Sequence, residues 1–368
     1  MKIAADVLVV GGGPAGLAAA IAARDKGFHV IVADGDKPPI SKACGEGLLP
    51  EAVEGLWKLG VTFGPADGQV LRGIRFQDHG AAVGAEFRGM PGLGVRREVL
   101  HQRLLERAAE RGVALLWNAP VTGLCSSGAI VAGNRIMARW VIGADGIRSR
   151  VRRWAGLGEA RLSSSRFAWR QHLSARPWSD FIEIHWDGDT QAYVTPVGAE
   201  EICVVLISDR PQMRMGAALQ RFPELAERFA SAPRTSMERG AVTRMGKFRR
   251  VTQGRVALVG DAAGTVDAIT GQGLSLAFRQ ALVLADAMEA GDLAQYEQQH
   301  RRFARRPWMM ASLLLQLGRH GKIRRRALRT LQAAPHLFEP MLAFHTAETR
   351  ALELAAAGAQ FGWRFLTA

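Results

Sequence analysis

The sequence predicts an α/β fold in which a domain of parallel strands and helices carries an inserted antiparallel β-sheet and is followed by a helical region. Three features indicate this fold. The chain begins with a strand, a glycine-rich turn, a helix and a second strand; its middle contains short segments of alternating polarity; and its last part has helical periodicity. With 368 residues, of which 48% are hydrophobic, the chain can form two domains, or one large domain with an insertion.

The N-terminal segment forms a complete βαβ unit. Residues 6–11 contain a continuous apolar run typical of a buried parallel strand, and residues 17–26 are helical in pattern up to Gly27. A second strand covers residues 30–33 and ends at Asp34. A glycine-rich turn between the first strand and the helix is the fingerprint of a Rossmann-type domain that binds a dinucleotide.

Each glycine of this turn has a physical role. Gly11 permits the tight turn, Gly13 lets the backbone approach a pyrophosphate, and Gly16 lets the helix pack closely on the strand. The N-terminus of the helix presents free N–H groups and the positive end of its dipole to the phosphates. Asp34 lies 18 residues after Gly16 and can accept hydrogen bonds from ribose hydroxyls. The fingerprint alone does not separate NAD from FAD.

Later segments continue the same domain. An amphipathic helix, a strand, a hairpin, a buried strand and a final helix are predicted at residues 97–112, 113–117, 129–142, 255–259 and 274–288. The hairpin runs into Asp145-Gly146, and the buried strand ends in Gly260-Asp261.

Four motifs in this order carry a resemblance to a known family: the GxGxxG turn, an Arg-x-x-Leu helix start at Arg97, Asp145-Gly146 and Gly260-Asp261. Over residues 5–290 the chain resembles the FAD-binding domain shared by aromatic-ring flavin monooxygenases, flavin-dependent halogenases and geranylgeranyl reductases. Residues 44–48 (Cys-Gly-Glu-Gly-Leu) and the Val-Asp-x-x-Thr-Gly-x-Gly pattern of residues 266–273 are most similar to the geranylgeranyl-reductase-like branch. The resemblance implies a Rossmann-type FAD-binding domain with one bound FAD.

The resemblance also implies contacts with the cofactor. Ala15 and Asp34 would contact the adenosine half, and Arg97 and the backbone at Val121 would hold the pyrophosphate and adenine side. Cys44 would lie in the loop near the flavin, either as a reactive thiol or as a small residue packed against the ring. The full predicted cofactor set is Gly11, Gly13, Ala15, Gly16, Asp34, Cys44, Gly45, Gly47, Arg97, Val121, Asp145, Asp261, Gly271, Gly273 and Leu274.

Within this set, Asp261 would bond a ribityl or ribose hydroxyl, and Gly273 and Leu274 would offer N–H groups to the flavin pyrimidine ring. A helix N-terminus at that point would stabilise the negative charge of reduced flavin. The sequence predicts no metal site and assigns no catalytic side chain.

The segments between the motifs are interpreted as a substrate domain. The predicted FAD-binding domain comprises residues 1–67, 95–161 and 246–297, the substrate domain residues 68–94 and 162–245, and the basic C-terminal helical region residues 298–368. Four strands are predicted at residues 167–173, 181–186, 192–197 and 202–208. Candidate cavity residues on them are Trp169, Arg170, His172, His185, Trp186 and Tyr193, with ordinary packing as the alternative for each.

Three functions remain open. The first, which the sequence favours, is a monooxygenase that hydroxylates a hydrophobic aromatic or polyketide-like substrate through a flavin C4a-hydroperoxide. The second is a reductase or dehydrogenase acting on a carbon–carbon double bond of a lipid or isoprenoid; residues 44–48 and 266–273 favour it. Two departures argue against a reductase. The aromatic-rich stretch found in geranylgeranyl reductases is reduced to one aromatic residue and a proline at Tyr193-Val194-Thr195-Pro196, and Ala268 stands where a proline is frequent. The third is a flavin-binding partner without turnover.

The charge suggests anionic contacts. The formal net charge is +14, and residues 300–338 contain ten Lys or Arg and no Asp or Glu. This region is interpreted as a helical cap with a solvated basic face, or as a site of peripheral attachment to anionic membrane. Nucleic acid is not an expected partner, because no recognised module is present. No second GxGxxG occurs, so NAD(P)H is expected as a transient electron donor. Three unpaired cysteines and no membrane-spanning run indicate the cytoplasm.

Overall fold

A computed structural model describes residues 3–40, 42–158, 161–348 and 351–367. Its strands are β1 (Ile3–Val10), β2 (Val30–Ala33), β3 (Gly47–Leu48), β4 (Gly68–Leu71), β5 (Gly73–Asp78), β6 (Ala81–Glu86), β7 (Gly92–Val95), β8 (Ala114–Leu116), β9 (Val121–Cys125), β10 (Gly128–Val131), β11 (Asn134–Gly143), β12 (Arg161–Ser174), β13 (Phe181–Asp187), β14 (Thr190–Gly198), β15 (Glu201–Ser208), β16 (Arg239–Lys247), β17 (Thr252–Gln253), β18 (Val256–Leu258) and β19 (Gly264–Thr265).

The helices are α1 (Pro14–Asp25), α2 (Pro50–Lys58), α3 (Arg97–Glu110), α4 (Arg150–Trp154), α5 (Met215–Leu219), α6 (Pro223–Phe229), α7 (Gly273–Glu289), α8 (Leu293–Phe303), α9 (Arg305–Arg319), α10 (Gly321–Ala333), α11 (Phe338–His345) and α12 (Ala351–Thr367). Short 3-10 turns occur at Gly260–Ala262, Ala268–Thr270 and Pro335–Leu337.

The first sheet contains the βαβ unit. Its parallel strands lie in the order β18, β11, β1, β2 and β8, with β17 antiparallel at one edge and the β9–β10 hairpin joined to β11. Helices α1 and α7 pack on each other. Because the chain continues from β1 to β2 on one side while β11 lies on the other, the strand order reverses at β1. Open α/β sheets bind ligands at such a reversal, beyond the carboxyl ends of the strands.

The residues of the first sheet explain its burial. The predicted apolar run at the start of the chain becomes β1, in which Val7, Leu8 and Val9 are fully buried. Helix α1 begins at Pro14, because proline at the first helical position loses no hydrogen bond. It ends before Gly27, whose φ of 84° reverses the chain towards β2.

The second sheet forms the inserted part. Its eight strands lie in the order β19, β16, β12, β15, β14, β13, β5 and β6. All pairs are antiparallel except β5 and β13, which run parallel. The four strands predicted between residues 167 and 208 correspond to β12 to β15. Helices α5 and α6, with the turn between them, cover one face through residues such as Phe222 and Leu225.

A small third sheet links the two halves. In it, β7 is the central strand and pairs with the loop strand β3 on one side and with β4 on the other, so β4 and β7 do not belong to the second sheet. The predicted helical C-terminal region is confirmed as α8 to α12. Helices α10 and α11 pack on β6 and, with the other face of the second sheet, enclose an apolar core. Among the described residues, no helix combines the length and the hydropathy needed to cross a bilayer.

Candidate active site

The site lies where the parallel strands of the first sheet end. The turn at Gly11 follows β1, Ala144 follows β11, and Gly260 follows β18, so three loops from neighbouring strands meet at one edge. Gly13, Ala144, Gly260 and Asp261 all line one large cavity that begins there. The predicted position of the cofactor therefore coincides with the point at which the strand order reverses.

The glycine-rich turn is shaped by close packing on one side and open space on the other. A Cβ built on Gly16 would lie 1.9 Å from the carbonyl oxygen of Gly11, so only glycine lets α1 approach β1 this closely. A Cβ built on Gly13 would meet nothing within 4 Å, because this residue faces the cavity. The turn thus leaves backbone exposed at the N-terminus of α1, where a phosphate binds favourably.

Charged groups line the same part of the cavity. The Nε atom of Arg97 is buried and has no hydrogen-bond partner among the described residues, although the residue borders the cavity. Lys42 and Asp261 also border it. Enclosure by protein raises the pKa of the Asp261 carboxyl, against the opposing effect of Lys42 and Arg97. The two cations provide positive charge where a pyrophosphate would lie.

Two predicted acids hold the backbone of the site. Asp34 accepts hydrogen bonds from the N–H groups of Gly12 (2.6 Å) and Asp36 (2.9 Å). Asp145 accepts them from the Ser149 hydroxyl (2.5 Å) and the Arg150 N–H (2.6 Å), and thereby caps α4. Neither carboxylate borders the cavity, so both position the loops around it.

The N-terminus of α7 also points to the cavity. Gly273 and Leu274 border the cavity, and no side chain caps this helix. The side chain of Gln272, the N-cap residue, is engaged elsewhere: its Nε2 donates to the carbonyl oxygen of His345 (2.6 Å). The uncapped N–H groups make this end of α7 suitable for negative charge.

A buried ion pair connects the preceding loop to the second sheet. Asp267 is fully buried, and its Oδ2 lies 3.2 Å from Nε of Arg166 on β12, with a second, shorter contact between Arg166 Nη2 and Asp267 Oδ1. Oδ1 also accepts the N–H of Ile269 (3.0 Å). The loop before α7 is therefore fixed from the side of the second sheet.

The cavity continues from the cofactor edge into an apolar chamber. Its volume is about 1220 Å³, larger than a pocket for one drug-sized ligand. The second sheet forms one wall and the C-terminal helices α9 to α12 form the other. The sheet contributes Ile74, Phe76, Ala168, Ile182, Ile184, Trp186, Tyr193, Val205 and Ile207 to this wall.

Comparisons with known proteins agree with this geometry. A family model described as "FAD binding domain" matches residues 4–306. The chain belongs to the FAD-binding domain family. It is 30% identical to menaquinone reductase of Mycobacterium tuberculosis over 319 residues, covering 79% of this chain and 78% of the relative. It is 29% identical to digeranylgeranylglycerophospholipid reductase of Methanosarcina acetivorans (80% and 75% covered) and 30% identical to ubiquinone hydroxylase UbiL of Rhodospirillum rubrum (78% and 72% covered).

The fold of this family member is also found in solved structures. A flavoprotein/dehydrogenase from Cytophaga hutchinsonii superposes with a TM-score of 0.80 at 21% identity, covering 98% of this chain and 100% of that one. The predicted α/β, Rossmann-type architecture is thus confirmed, and the chain is an FAD-dependent oxidoreductase. The residues fit FAD: a glycine cradle open at Gly13, an unpartnered buried Arg97 Nε and an uncapped α7 N-terminus meet one cavity.

The structure brings most of the predicted cofactor residues of this FAD domain together. Those that border the cavity are Gly13, Ala15, Cys44, Gly45, Gly47, Arg97, Asp261, Gly271, Gly273 and Leu274. Those that do not are Gly11, Gly16, Asp34, Val121 and Asp145. Val121 lies at the start of β9 within the core of the first sheet. Lys42 was missed, because a lone lysine in a loop carries no motif.

Only part of the predicted cavity wall faces the cavity. Trp186 and Tyr193 border it, as predicted. Trp169 packs instead with the residues that α5 and α6 cover, and the His185 ring lies against Phe222 on that same side. Alternate residues of a strand point to opposite faces, so both were assigned to the wrong face of the second sheet. Ala168 and Ile184 border the cavity, so the alternation of side chains along a strand places their neighbours Trp169 and His185 on the opposite face.

Arg170 and His172 form a buried cluster behind the cavity wall. His172 Nε2 lies 2.5 Å from Glu46 Oε2, and Arg170 Nε lies 3.9 Å from Glu46 Oε1. Glu46 borders the cavity and has a φ of 59°, unusual for a residue with a side chain. Ligand atoms of Glu46, His172 and Cys203 lie within 4.8 Å of one another, but Arg170 already supplies the positive charge that a metal ion would bring.

The fold buries one of the basic residues of the cluster at residues 322–326 and leaves others on the surface. Arg324 is only 1% exposed: its Nε bonds Asp78 Oδ2 at 2.6 Å, and its guanidinium lies over the Trp186 ring. This arginine therefore anchors α10 to the second sheet. Lys322 and Arg326 remain on the surface.

Proposed function

We propose that this flavoprotein is a reductase that adds hydrogen across a carbon–carbon double bond of an isoprenoid lipid. The observation that supports it most is the continuous cavity, which runs from the cofactor edge of the first sheet into an apolar chamber. A chain-like apolar substrate can place one end beside the cofactor while the rest of the chain occupies the chamber. Polar or small substrates would leave the chamber unfilled.

Two of the relatives support reduction over hydroxylation. They are 30% and 29% identical, and their names specify a reductase of menaquinone and one of a digeranylgeranyl phospholipid. The residues beside the cavity agree with reduction. The Cys44 thiol borders the cavity, and thiols are readily oxidised by peroxide-type species. This reverses the order in which the sequence alone ranks hydroxylation and reduction.

The residues of the chain would bind and orient the reactants. When bound, FAD supplies a hydride, and NAD(P)H is the proposed source of its electrons. Arg97 and Lys42 would hold the cofactor phosphates, and the N-terminus of α7 would stabilise negative charge on the ring. The apolar wall of the second sheet excludes water and places the substrate chain.

Anaerobic turnover tests this proposal. The purified protein with FAD and NADPH is incubated with a polyprenyl quinone, and the product is analysed by mass spectrometry. Reduction of a double bond predicts a product that stays heavier by two hydrogens after the ring is reoxidised to the quinone, with deuterium from labelled NADPH or from heavy water retained in the prenyl chain. A product formed only in air and heavier by one oxygen would instead establish hydroxylation. A cofactor that no donor reduces would support the non-catalytic alternative.

Hydroxylation of a quinone-type ring is the second candidate. The relative named ubiquinone hydroxylase is 30% identical. Thr195, on the cavity wall beside Tyr193, stands in the stretch where geranylgeranyl reductases are aromatic, so the wall has more room for a ring. Labelled oxygen in the same assay identifies this reaction.

We also propose that the mouth of the cavity docks on an anionic membrane surface. Met309, Leu313 and Ile323 border the cavity and are 52%, 51% and 48% exposed. Trp363 and Leu366 on α12 are 71% and 76% exposed. Exposed cations flank them, among them Arg305, Arg319, Lys322 and Arg326. Apolar residues surrounded by cations suit the interface of an anionic bilayer.

Vesicle sedimentation tests the docking. Binding is expected to vesicles that contain anionic lipid and to fall with salt and in Lys322→Glu. Arg135→Glu, an exposed cation on the distant β11, serves as the matched control and is expected to bind normally. Equal binding to neutral vesicles, or an equal loss of binding in both variants, would contradict docking through the cations at the mouth of the cavity.

A further inference from the structure

We propose that His101 is a positioning residue for the cofactor, which holds the peptide group between Gly12 and Gly13 so that the Gly13 N–H faces the phosphates of FAD. This inference rests on the cofactor that the family binds and not on the proposed reduction. His101 lies on α3, directly after the Arg-x-x-Leu helix start, and does not border the cavity. It therefore acts on the cofactor through the backbone of the glycine-rich turn.

The side chain of His101 joins α3 to this turn. Its Nε2 lies 2.8 Å from the carbonyl oxygen of Gly12, which is 89 residues away in the sequence. A carbonyl oxygen only accepts, so Nε2 carries the proton and donates it. His101 is 2% exposed, and this burial lowers the pKa of its imidazole, against the raising effect of the bond to Gly12. The ring thus holds the carbonyl group from the interior of the protein.

Gly12 is held on its other side as well. Its N–H donates to Asp34 Oδ2 at 2.6 Å. A Cβ built on Gly12 would lie 2.3 Å from the ring of Trp117, so a residue with a side chain does not fit at this position. His101 and Asp34 therefore fix Gly12 through its C=O and its N–H, respectively.

The geometry of the peptide group transmits the effect of His101 to the cavity. In a planar trans peptide, the C=O of one residue and the N–H of the next point in opposite directions. Because the Gly12 C=O points to His101, the Gly13 N–H points away from it, and among the described residues none accepts this N–H. Gly13 borders the cavity, and a Cβ built on it would meet nothing within 4 Å. The N–H is thus available to a phosphate oxygen.

Two features of the turn make such a constraint necessary. Gly12 and Gly13 both lack a Cβ, so the peptide group between them can rotate at little steric cost. Pro14, the first residue of α1, has no N–H to offer. The Gly13 N–H is therefore one of few donors at this end of the helix. A rotated peptide group would turn the Gly12 carbonyl oxygen, the negative end of its dipole, towards the phosphates.

Helix α3 supplies two contacts to the cofactor from one face. Arg97 and His101 are four residues apart, so their side chains lie one turn apart on the same face. Arg97 borders the cavity and offers its charge directly, whereas His101 acts through Gly12. The motif that identifies Arg97 ends at Leu100, so the sequence did not predict the histidine.

FAD titration of the deflavinated protein is the first test. His101→Leu removes the donor and should weaken FAD binding about 10- to 100-fold, because the Gly13 N–H then loses its hydrogen bond to a charged group. His101→Gln places an amide N–H near the position of Nε2 and should keep the FAD affinity within about threefold of wild type. Equal affinity of His101→Leu and wild type would overturn the proposal.

Leu104→Ala is the matched control for a general loosening of α3. Leu104 lies on the same helix, is fully buried in the core and does not border the cavity. Its truncation should destabilise the protein, as measured by urea unfolding, but leave the FAD affinity unchanged. A parallel loss of FAD in Leu104→Ala would assign His101 a purely structural role and overturn the proposal.

Phosphorus NMR of bound FAD gives a readout that stability alone does not move. At saturating FAD, the pyrophosphate resonances should shift in His101→Leu, whereas His101→Gln and Leu104→Ala should keep the wild-type resonances. The flavin absorbance spectrum should be the same in all of these proteins, because the contact is to the phosphates. Unshifted pyrophosphate resonances in His101→Leu would mean that the peptide group keeps its orientation without the histidine, which overturns the proposal.

A measurement on the wild-type protein decides the case if His101→Leu does not fold. In protein labelled with ¹⁵N-glycine, the amide proton of Gly13 is expected to shift downfield when FAD binds, as a new hydrogen bond to phosphate requires. The amide of Gly12 donates to Asp34 and should move much less. A Gly13 resonance that FAD leaves in place would show that this N–H does not meet the phosphates, and the proposed role of His101 would be wrong.

Discussion

The two sheets build their parts of the site in opposite ways. In the first sheet, the site residues follow the ends of strands β1, β11 and β18, so each group of contacts is a short continuous motif. In the second sheet, the wall of the cavity consists of single side chains from β5, β12, β13, β14 and β15, together with residues 239–244 of β16. The first arrangement depends on backbone geometry and tolerates few substitutions. The second depends on volume and polarity, and many sequences can satisfy it.

The largest effect is expected in the glycine turn of the first sheet. Gly16→Val should leave no folded protein, with a loss above ~5 kcal/mol, because the Cβ would lie 1.9 Å from the Gly11 carbonyl oxygen. Gly13→Ala should fold normally but lose FAD, because its Cβ enters the open side of the turn. Circular dichroism, thermal unfolding and FAD titration test both. Gly123→Ala, also in open space, is the control. A Gly13→Ala protein that retains FAD would contradict the proposed cradle.

The second sheet should show its largest loss at the Arg324–Asp78 pair. Arg324→Met leaves the Asp78 carboxylate buried without its cation, which typically costs about 3 to 5 kcal/mol. The neighbouring Arg325→Met should change the free energy of unfolding little, because Arg325 is only half-buried and forms no salt bridge with the described residues. Urea unfolding measures both variants.

A double variant sharpens this comparison. Arg324→Met combined with Asp78→Leu removes both charges and should recover much of the stability. Failure to recover would show that Arg324 contributes through packing on Trp186 and not through its charge.

The contrast between the sheets explains what the sequence could predict. The motifs of the first sheet are local, so the cofactor, the fold and ten residues at the cavity follow from them. For the second sheet, alternation predicts the strands, but which face meets the cavity depends on α5, α6 and the C-terminal helices, which are distant in the chain. Trp169 and His185 were misassigned for this reason.

Contacts between residues that lie far apart in the sequence could not be predicted either. Glu46 and His172 are 126 residues apart, and Asp78 and Arg324 are 246 residues apart, so no spacing indicates that they meet. In residues 322–326 the charge pattern predicts a uniform cationic surface, and the fold buries one arginine within it. A single charged residue at helical spacing with apolar Ile323, Ala327 and Leu328 carries too little signal to identify such a pair.

The stability of the protein should depend on pH through two histidines on the C-terminal helices. Burial lowers the pKa of His300 on α8 and of His345 on α11 to about 4, from an ordinary value of 6.5. The unfolded chain therefore binds more protons than the folded chain between pH 4 and 6.5, so the free energy of unfolding rises with pH in that range. Each histidine should lower the stability by about 2 kcal/mol at pH 5 relative to pH 7.

Urea unfolding at pH 5 and pH 7 measures the contribution of each histidine. His345→Gln and His300→Gln should each reduce the pH dependence by about the same amount, although one residue lies at the cavity and the other beside α7. A variant with the wild-type pH dependence would show that its histidine is not neutral in the folded state at pH 5.

The smallest effect is expected from filling the apolar wall. Ile184 lies near the middle of β13, is 4% exposed and borders the cavity. Ile184→Trp should narrow the chamber and raise KM for a long-chain isoprenoid about tenfold, equivalent to about 1.4 kcal/mol. The FAD affinity and the KM of a short-chain analogue should not change, because neither uses the chamber. An equal rise in KM for both chain lengths would mean that the substitution acts near the cofactor edge, and the chamber would then not be the place where chain length is recognised.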